Sequence, residues 1–327
     1  MTGNIYITDR ITNPTIESEV IGEYLTTDPT NNVEVLLVWH QEITEAYLAN
    51  FPKVHTVIRY GVGYDKIDLQ ACSKRGVIVC NNPDYCTEEV SDTALTFILN
   101  CSREITRYDY KSKGYVSGWQ ENVKKDIKRN KETTVGFIGL GRIGSLTLKK
   151  AKYLGYDTCF YDPYITPGYA KIFDTNRLDT LDDLLMSSDI VSLHCPSNQN
   201  TIGMIDDSFI NRMKKGSSLV NTARGNLLKD LSVIEKGLKS EHLNMVCLDV
   251  LPQEPPVEDH SLIRAWKNNE EWVSGRLIIN PHASYHSIQS ESEQRYKAAE
   301  NALFALLDKK PKYIVHQPLS RSEYELV

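Results

Sequence analysis

The chain has 327 residues, 41% of them apolar and 24% charged, with a formal charge of −6. A length prior of about 150 residues per domain reads this as two globular domains, each long enough for a sizeable core. The acidic balance argues against a nucleic-acid surface, which needs a basic face, and no run of about 18 apolar residues offers a membrane span.

The N-terminus, MTGNIYITDR, lacks a basic region followed by an apolar one, so no signal peptide is expected. The next residues alternate strand-like runs (NIYIT, VEVLLVW, HTVIRY and GVIVCN) with polar, helix-compatible stretches. That βαβ rhythm predicts parallel strands buried on both faces. EEVSDTALTFILNCSREITRYDYKSKG reads as one long helix, apolar first and charged later, and QENVKKDIKRNKE as a charged connector marking a domain junction. A second rhythm opens at Thr134, with strand candidates TVGFIG, DTCFYD, DIVSLH, SSLVNT, NMVCLDV and RLIIN. Together they fit one doubly wound sheet. SESEQRYKAAENALFALLDKKP is amphipathic, with Ala298, Ala299, Leu303, Leu306 and Leu307 near one face. It suits a helix that returns to the first domain. Seven cysteines stand singly, an odd count without a C-x-x-C pair, and point to a reduced, cytoplasmic compartment.

Within the second rhythm, Gly139, Gly141 and Gly144 form G-x-G-x-x-G between a strand and a helix. Alone, this pattern serves ordinary turns as readily as ligands. In that context, Gly139 allows the tight turn, Gly141 the approach of a pyrophosphate and Gly144 close helix–strand packing. The helix N-terminus offers N–H groups to phosphate. Asp162 follows Gly144 by 18 residues, where a carboxylate takes ribose hydroxyls and repels a 2′-phosphate. No Arg or Lys follows before Lys171, so the expected cofactor is NAD rather than NADP.

Three later motifs each end a strand. LVNTARG places Arg224, LDVLPQEPP places Asp249 and Glu254, and NPHASYHS places His282. Ligands of open α/β sheets bind at the carboxyl ends of strands, so these residues are expected to converge there. Hydride reduction of a carbonyl needs a proton donor, and histidine titrates near neutrality. Glu254 is suited to hold His282 and favour its protonated form. The guanidinium fork of Arg224 fits a carboxylate or a polarised carbonyl, and Asp249 suits a nicotinamide amide. Singly, each is more often a surface charge or turn residue; their joint order after a dinucleotide loop is what carries weight. No His/Cys/Asp cluster has metal-ligand spacing, so no metal is expected.

The glycine loop with YDP, then LHCP, NTARG, LDVLPQEP and NPHASY, resembles the D-isomer-specific 2-hydroxyacid dehydrogenases over roughly residues 55–315. RYGVGYDKID, VCNNP, EEVSDTAL and PHASYHS are similar to its C-terminal-binding-protein-like branch. The resemblance implies an α/β fold of two Rossmann-like or flavodoxin-like domains with doubly wound parallel sheets. The NAD domain (103–291) would be inserted in a discontinuous substrate domain (1–102 and 292–327). It implies His282 as acid/base, Glu254 as its partner and Arg224 as the substrate-orienting cation. Arg142 and Ile143 would give backbone N–H groups to the pyrophosphate. Asp162 would take the adenosine ribose, Cys195, Pro196 and Thr201 would line the adenine side, and Thr222, Ala223 and Asp249 would flank the nicotinamide. Val62 and Gly63, helped by Arg59, would meet the substrate carboxylate. Tyr85 would reach substrate, or else pack at the domain edge, and Thr93 would touch the cofactor from the substrate domain. A homodimer through the cofactor domain is the implied assembly.

The chain departs from the family pattern at Tyr285, where many members have Trp; a hydroxyl there suggests a smaller or more polar substrate. VEDHSLIRAWKNNEEWVSGR is longer than usual and reads as a surface insertion, or as a flap or dimer contact. The reading is thus an NAD-dependent oxidoreductase interconverting a 2-oxo acid and a D-2-hydroxy acid. Its rivals are an NADH-responsive corepressor scaffold and a dehydrogenase of another small oxyanion, of the phosphite or formate type.

Overall fold

The computed structural model describes residues 3–29, 31–114, 119 and 127–318. The chain gathers into two compact units, Met1–Tyr85 with His286–Val327, and Cys86–Tyr285. The first begins with β1 (Ile5–Ile7), β2 (Leu25–Thr26), β3 (Val35–Val38), β4 (Thr56–Arg59) and β5 (Ile78–Cys80). The second holds β6 (Thr134–Ile138), β7 (Asp157–Tyr161), β8 (Asn176–Arg177), β9 (Ile190–Leu193), β10 (Ser217–Asn221), β11 (Leu243–Leu248) and β12 (Leu277–Ile279). The chain then returns to the first unit for β13 (Ile314–His316).

In the first unit the strand order is β13-β5-β4-β3-β1-β2. All pairs are parallel except β13 with β5. The whole of β3 is buried, as expected of a strand covered on both faces. The four anticipated strands are present; β2 and β13 carry no such apolar run. The returning helix Ile288–Leu303 buries Ala298, Ala299 and Ala302, and packs on the helix Thr15–Ile21 and on β3 and β4. Between those two helices lies a charge pair. Glu17 is 0% exposed; it accepts from Arg295 at 2.6 and 2.9 Å and from the Tyr60 hydroxyl at 3.1 Å.

The second unit is a seven-stranded sheet, β12-β11-β10-β9-β6-β7-β8, parallel throughout. The order reverses at β6, whose neighbours are β7 and β9, and in such sheets the ligand crevice opens at that reversal. All six anticipated strands are found, and β8 is added to them.

Three expectations require correction. The boundaries fall at 85/86 and 285/286, not 102/103 and 291/292. The reason is the helix Thr87–Arg103, whose Phe97, Ile98 and Cys101 join the core formed by Val135, Phe137 and Phe160. Second, the long helix breaks at Glu104, which adopts a left-handed conformation (φ 52°). A second helix, Ile105–Lys113, follows. The Glu104 carboxylate is buried and accepts from Asn244 Nδ2 (2.8 Å) and Arg107 Nη1 (3.2 Å), while Asn100 Oδ1 accepts the Thr106 N–H. Third, the segment between Glu254 and His282 is neither surface insertion nor flap. Its helix Ser261–Lys267 is the crossover between β11 and β12, as parallel strands require. Leu262, Ile263, Ala265 and Val273 are buried, and Trp266 and Trp272 pack against the same core. Arg276 donates to the carbonyls of Leu243, Asn244 and Trp272. The charged connector 120–132 falls largely outside the described residues. Among the described residues no helix is long and apolar enough to cross a membrane.

Glu17→Ala would leave a largely buried guanidinium without its carboxylate, a loss of about 3–5 kcal/mol. Urea denaturation followed by circular dichroism checks this; a loss under about 1 kcal/mol would be that of a solvent-screened pair.

Candidate active site

The glycine loop follows β6 and opens the helix Arg142–Tyr153. Gly139 has φ 91°, and a Cβ there would lie 2.8 Å from the Cys195 nitrogen. A Cβ at Gly144 would lie 2.3 Å from the Gly139 carbonyl oxygen, so the helix packs on the loop at a distance only glycine permits. Gly141 differs: no atom lies within 4 Å of its would-be Cβ. It borders open space, and no side chain caps the helix that starts beside it with Arg142 and Ile143. A pyrophosphate suits those N–H groups and that end of the helix dipole. Past β10 in the same sheet, Thr222 Oγ1 is buried with no hydrogen-bond partner among the described residues, as suits a polar atom that meets a ligand. These residues fit a dinucleotide.

Asp162, just past β7, stays half-buried, with Oδ2 accepting the Leu140 N–H and Oδ1 the Tyr164 N–H, both at 2.9 Å. Each oxygen keeps a second lone pair for a ribose hydroxyl. A cation stands here that the local sequence gave no sign of. Arg177, on the two-residue β8, donates to the carbonyls of Asp162 (3.0 Å) and Ile165 (3.1 Å). It props the ribose-side loop through backbone, a contact set by sheet order. Cys195 and Pro196 follow β9, and burial pushes the Cys195 thiol up to about 11, so it stays protonated. Thr201 is committed to the turn: its hydroxyl donates to the Pro196 carbonyl and accepts the Asn198 N–H.

Arg224, Glu254 and His282 stand on loops after β10, β11 and β12. Gly225 is what allows the first two loops to meet. A Cβ there would lie 1.9 Å from the Leu251 carbonyl oxygen. Asn221 ties the turn from within, donating to the Arg224 carbonyl and accepting the Ala223 N–H. Glu254 Oε1 accepts the Leu251 N–H at 2.9 Å, and Oε2 lies 2.7 Å from His282 Nδ1. Burial alone would raise the Glu254 carboxyl. The His282 hydrogen bond, the Leu251 N–H and the charges of His282 and Arg224 together hold it below the ordinary glutamate range. A carboxylate accepting from Nδ1 makes Nε2 the nitrogen that exchanges a proton with a ligand.

His282 has φ 52°, a left-handed conformation that a histidine holds only when its surroundings impose it. Asp249 imposes it. That residue is 2% exposed, and its Oδ1 accepts from Asn280 Nδ2 (2.6 Å), Ala283 N (3.0 Å) and Ser284 N (3.1 Å). Its carbonyl accepts the His282 N–H at 2.8 Å. The sequence suits Asp249 to a nicotinamide amide; in the structure its hydrogen bonds go to the histidine loop. Asn280 and Asn221, which the motif reading passed over, tie the two loops that carry the charged groups.

Thr93 lies on the helix Thr87–Arg103 and so belongs to the second unit, not the substrate domain. In the first unit, Arg59 closes β4 and Val62 and Gly63 follow, with the Val62 carbonyl fixed by Asn81 Nδ2 at 2.7 Å. Tyr85 is buried at the end of its segment. Tyr285 is half-buried at the end of the second unit. A surface cleft of about 490 Å³ lined by Lys152, Tyr156, Asp157 and Asp174 lies at the opposite end of β7 and holds none of these residues.

A family model described as D-isomer specific 2-hydroxyacid dehydrogenase, NAD binding domain, matches residues 95–284, more than half of the chain. The chain belongs to the D-isomer specific 2-hydroxyacid dehydrogenase family. The matched span lies inside the second unit, which is thereby its NAD-binding domain. A glyoxylate reductase of Korarchaeum cryptofilum is 31% identical over 270 residues, 81% of this chain and 77% of that protein. A D-3-phosphoglycerate dehydrogenase of Mycobacterium leprae is 30% identical over 259 residues, 79% of this chain and 46% of the relative. The structure of D-lactate dehydrogenase from Aquifex aeolicus, complexed with NAD and lactic acid, matches with a TM-score of 0.81 at 25% identity, covering 97% of this chain and 100% of that one. This member of the family is an NAD-dependent oxidoreductase with two parallel α/β units.

Asp162→Ala removes a charged acceptor worth about 1.5–3 kcal/mol per hydrogen bond. NADH binding, read by fluorescence titration, is expected to weaken about tenfold or more, with discrimination against NADPH relaxed. An unchanged NADH/NADPH ratio would remove Asp162 from cofactor choice.

Proposed function

We propose that this dehydrogenase reduces a 2-oxo acid to the D-2-hydroxy acid, with His282 as general acid. The observation that carries the reading is the 2.7 Å bond from His282 Nδ1 to a Glu254 carboxylate held ionised, beside Arg224 and at the carboxyl ends of the sheet that also carries the glycine loop. NADH, when bound, supplies the hydride. As the carbonyl carbon accepts it, charge develops on oxygen, and protonated His282 gives its Nε2 proton there. One 2-oxo acid, one NADH and one proton become one 2-hydroxy acid and one NAD. Glu254 aims the ring and stabilises its charge. The Arg224 fork polarises the carbonyl and pairs with the carboxylate. Backbone at Val62 and Gly63, with Arg59, receives that carboxylate. Tyr85 in the first unit and Tyr285 in the second are the tyrosines that the family pattern assigns to substrate, and the hydroxyl of Tyr285 favours a small or polar substituent. The D configuration rests on the family to which the chain belongs.

All seven cysteines are free, which supports a reducing compartment, the cytoplasm. A homodimer is the assembly we favour.

His282→Ala is expected to lower kcat about a hundredfold or more while NADH affinity is nearly unchanged; a near-wild-type rate would sink the acid role. In Glu254→Gln the carboxylate that aims the imidazole is gone, and kcat is expected to fall while NADH affinity is kept; a wild-type kcat counts against the pair. The Glu254 carboxyl also couples folding to pH. Its lowered pKa means that its contribution to stability is present above the unfolded carboxyl value and lost as pH falls through the folded one.

A further inference from the structure

A run of hydrogen bonds joins three loops of the second unit. The Leu140 N–H donates to Asp162 Oδ2, and Asp162 Oδ1 accepts the Tyr164 N–H, both at 2.9 Å. The Tyr164 hydroxyl in turn accepts from Asn200 Nδ2 at 3.4 Å. Leu140 lies in the glycine loop after β6, Asp162 and Tyr164 follow β7, and Asn200 stands on the turn after β9. β7 and β9 are the two neighbours of β6. Tyr164 therefore reaches from the loop of one neighbour to the loop of the other, at the reversal of strand order where ligands of such sheets bind.

Both loops that it joins are tied from within. Arg177 holds the carbonyls of Asp162 and Ile165, one on each side of Tyr164. Asn200 sits on a closed turn, where Asn198 Oδ1 accepts its N–H at 2.9 Å and the Thr201 hydroxyl donates to the Pro196 carbonyl. Tyr164 is nevertheless 74% exposed, and Ile202, on the same turn as Asn200, is 58% exposed. A single exposed tyrosine needs no explanation. This one is fastened at its backbone and at its hydroxyl, with the ring between them open to solvent. Its apolar face is thus presented at a fixed place, beside the carboxylate that suits a ribose.

We propose that Tyr164 is the platform on which the adenine ring of NAD stacks. The order of the groups supports it. Along the hydrogen-bonded run come the glycine loop, then the Asp162 carboxylate, then the aromatic ring. Pyrophosphate, ribose and base are joined in that same order in the adenosine half of the cofactor. Every base has a π-face, and a tyrosine face already held in place takes it with little ordering to do. The hydroxyl fastens the ring to Asn200, and the ring does the binding. The proposal rests on cofactor binding by the second unit alone and is independent of which acid is reduced.

Two ligands separate the base from the rest of the cofactor: NADH, and reduced nicotinamide mononucleotide, which lacks the adenosine. Each is titrated by the fluorescence of its reduced ring, with no oxo acid present. Tyr164→Ala is expected to weaken NADH binding about fivefold to a hundredfold, the scale of one base–aromatic stack, and to leave the mononucleotide unchanged. Tyr164→Phe keeps the face and loses only the bond to Asn200, so it should bind NADH as the wild type does. Unchanged NADH affinity in Tyr164→Ala overturns the platform. An equal loss for the mononucleotide overturns it as well, because the loop would then have been disturbed as a whole. A loss in Tyr164→Phe as large as in Tyr164→Ala makes the hydroxyl link, not the ring, the active part, and also overturns it. If the mononucleotide binds too weakly to titrate, calorimetry with ADP-ribose decides. The loss found for NADH must recur there in Tyr164→Ala and be absent in Tyr164→Phe; any other result overturns the proposal.

Discussion

One carboxylate sealed from water at the end of β11 underlies the chemistry of the second unit. Asp249 gathers two backbone N–H groups and an asparagine amide on a single oxygen, and its carbonyl takes the N–H of His282. A buried acceptor that is fully used is stable, and one that lost its donors would be costly. The loop therefore has a single low-energy path, and that path holds the histidine in a conformation it would not choose. Glu254 meets the ring at 2.7 Å only because the backbone has already been placed. The rigid part of the acid–base pair is thus the support behind the imidazole, as pre-organised sites require.

Much of this was legible in the sequence, because the signals were local. Apolar runs bounded by Gly and Pro marked β3, β6, β9, β10 and β11. Gly139 and Gly144 announced a loop packed against its own helix, and the distances confirm that a Cβ would not fit. The order Arg224, Glu254, His282 was readable because each follows a strand of one sheet. What was missed depends on contacts across the chain. The two-residue strands β2 and β8 have no periodicity to detect. Arg177 reaches Asp162 only through sheet order, and Asp249 turns toward the His282 loop only once β11 and β12 are paired. Glu104 ends a helix because its side chain binds Asn244, far along the chain. The domain boundary was misplaced for the same reason: Phe97 and Ile98 are apolar wherever they pack, and only the structure shows with which sheet.

The two units use charge differently. In the second, carboxylates hold loops or a ring, and the guanidinium of Arg224 tunes Glu254. In the first, Glu17 and Arg295 neutralise one another between helices. A pair sealed between helices stabilises a fold through geometry.

The last described strand has a consequence beyond the site. β13 runs antiparallel along β5 and covers what would otherwise be an open margin of the parallel sheet. An uncovered strand offers unsatisfied N–H and C=O groups to any passing chain, a route to intermolecular aggregation. Three residues near the end of the sequence thus guard the solubility of a domain whose chemistry lies elsewhere. A trimmed version that keeps every catalytic side chain yet ends before Ile314 would lose that guard.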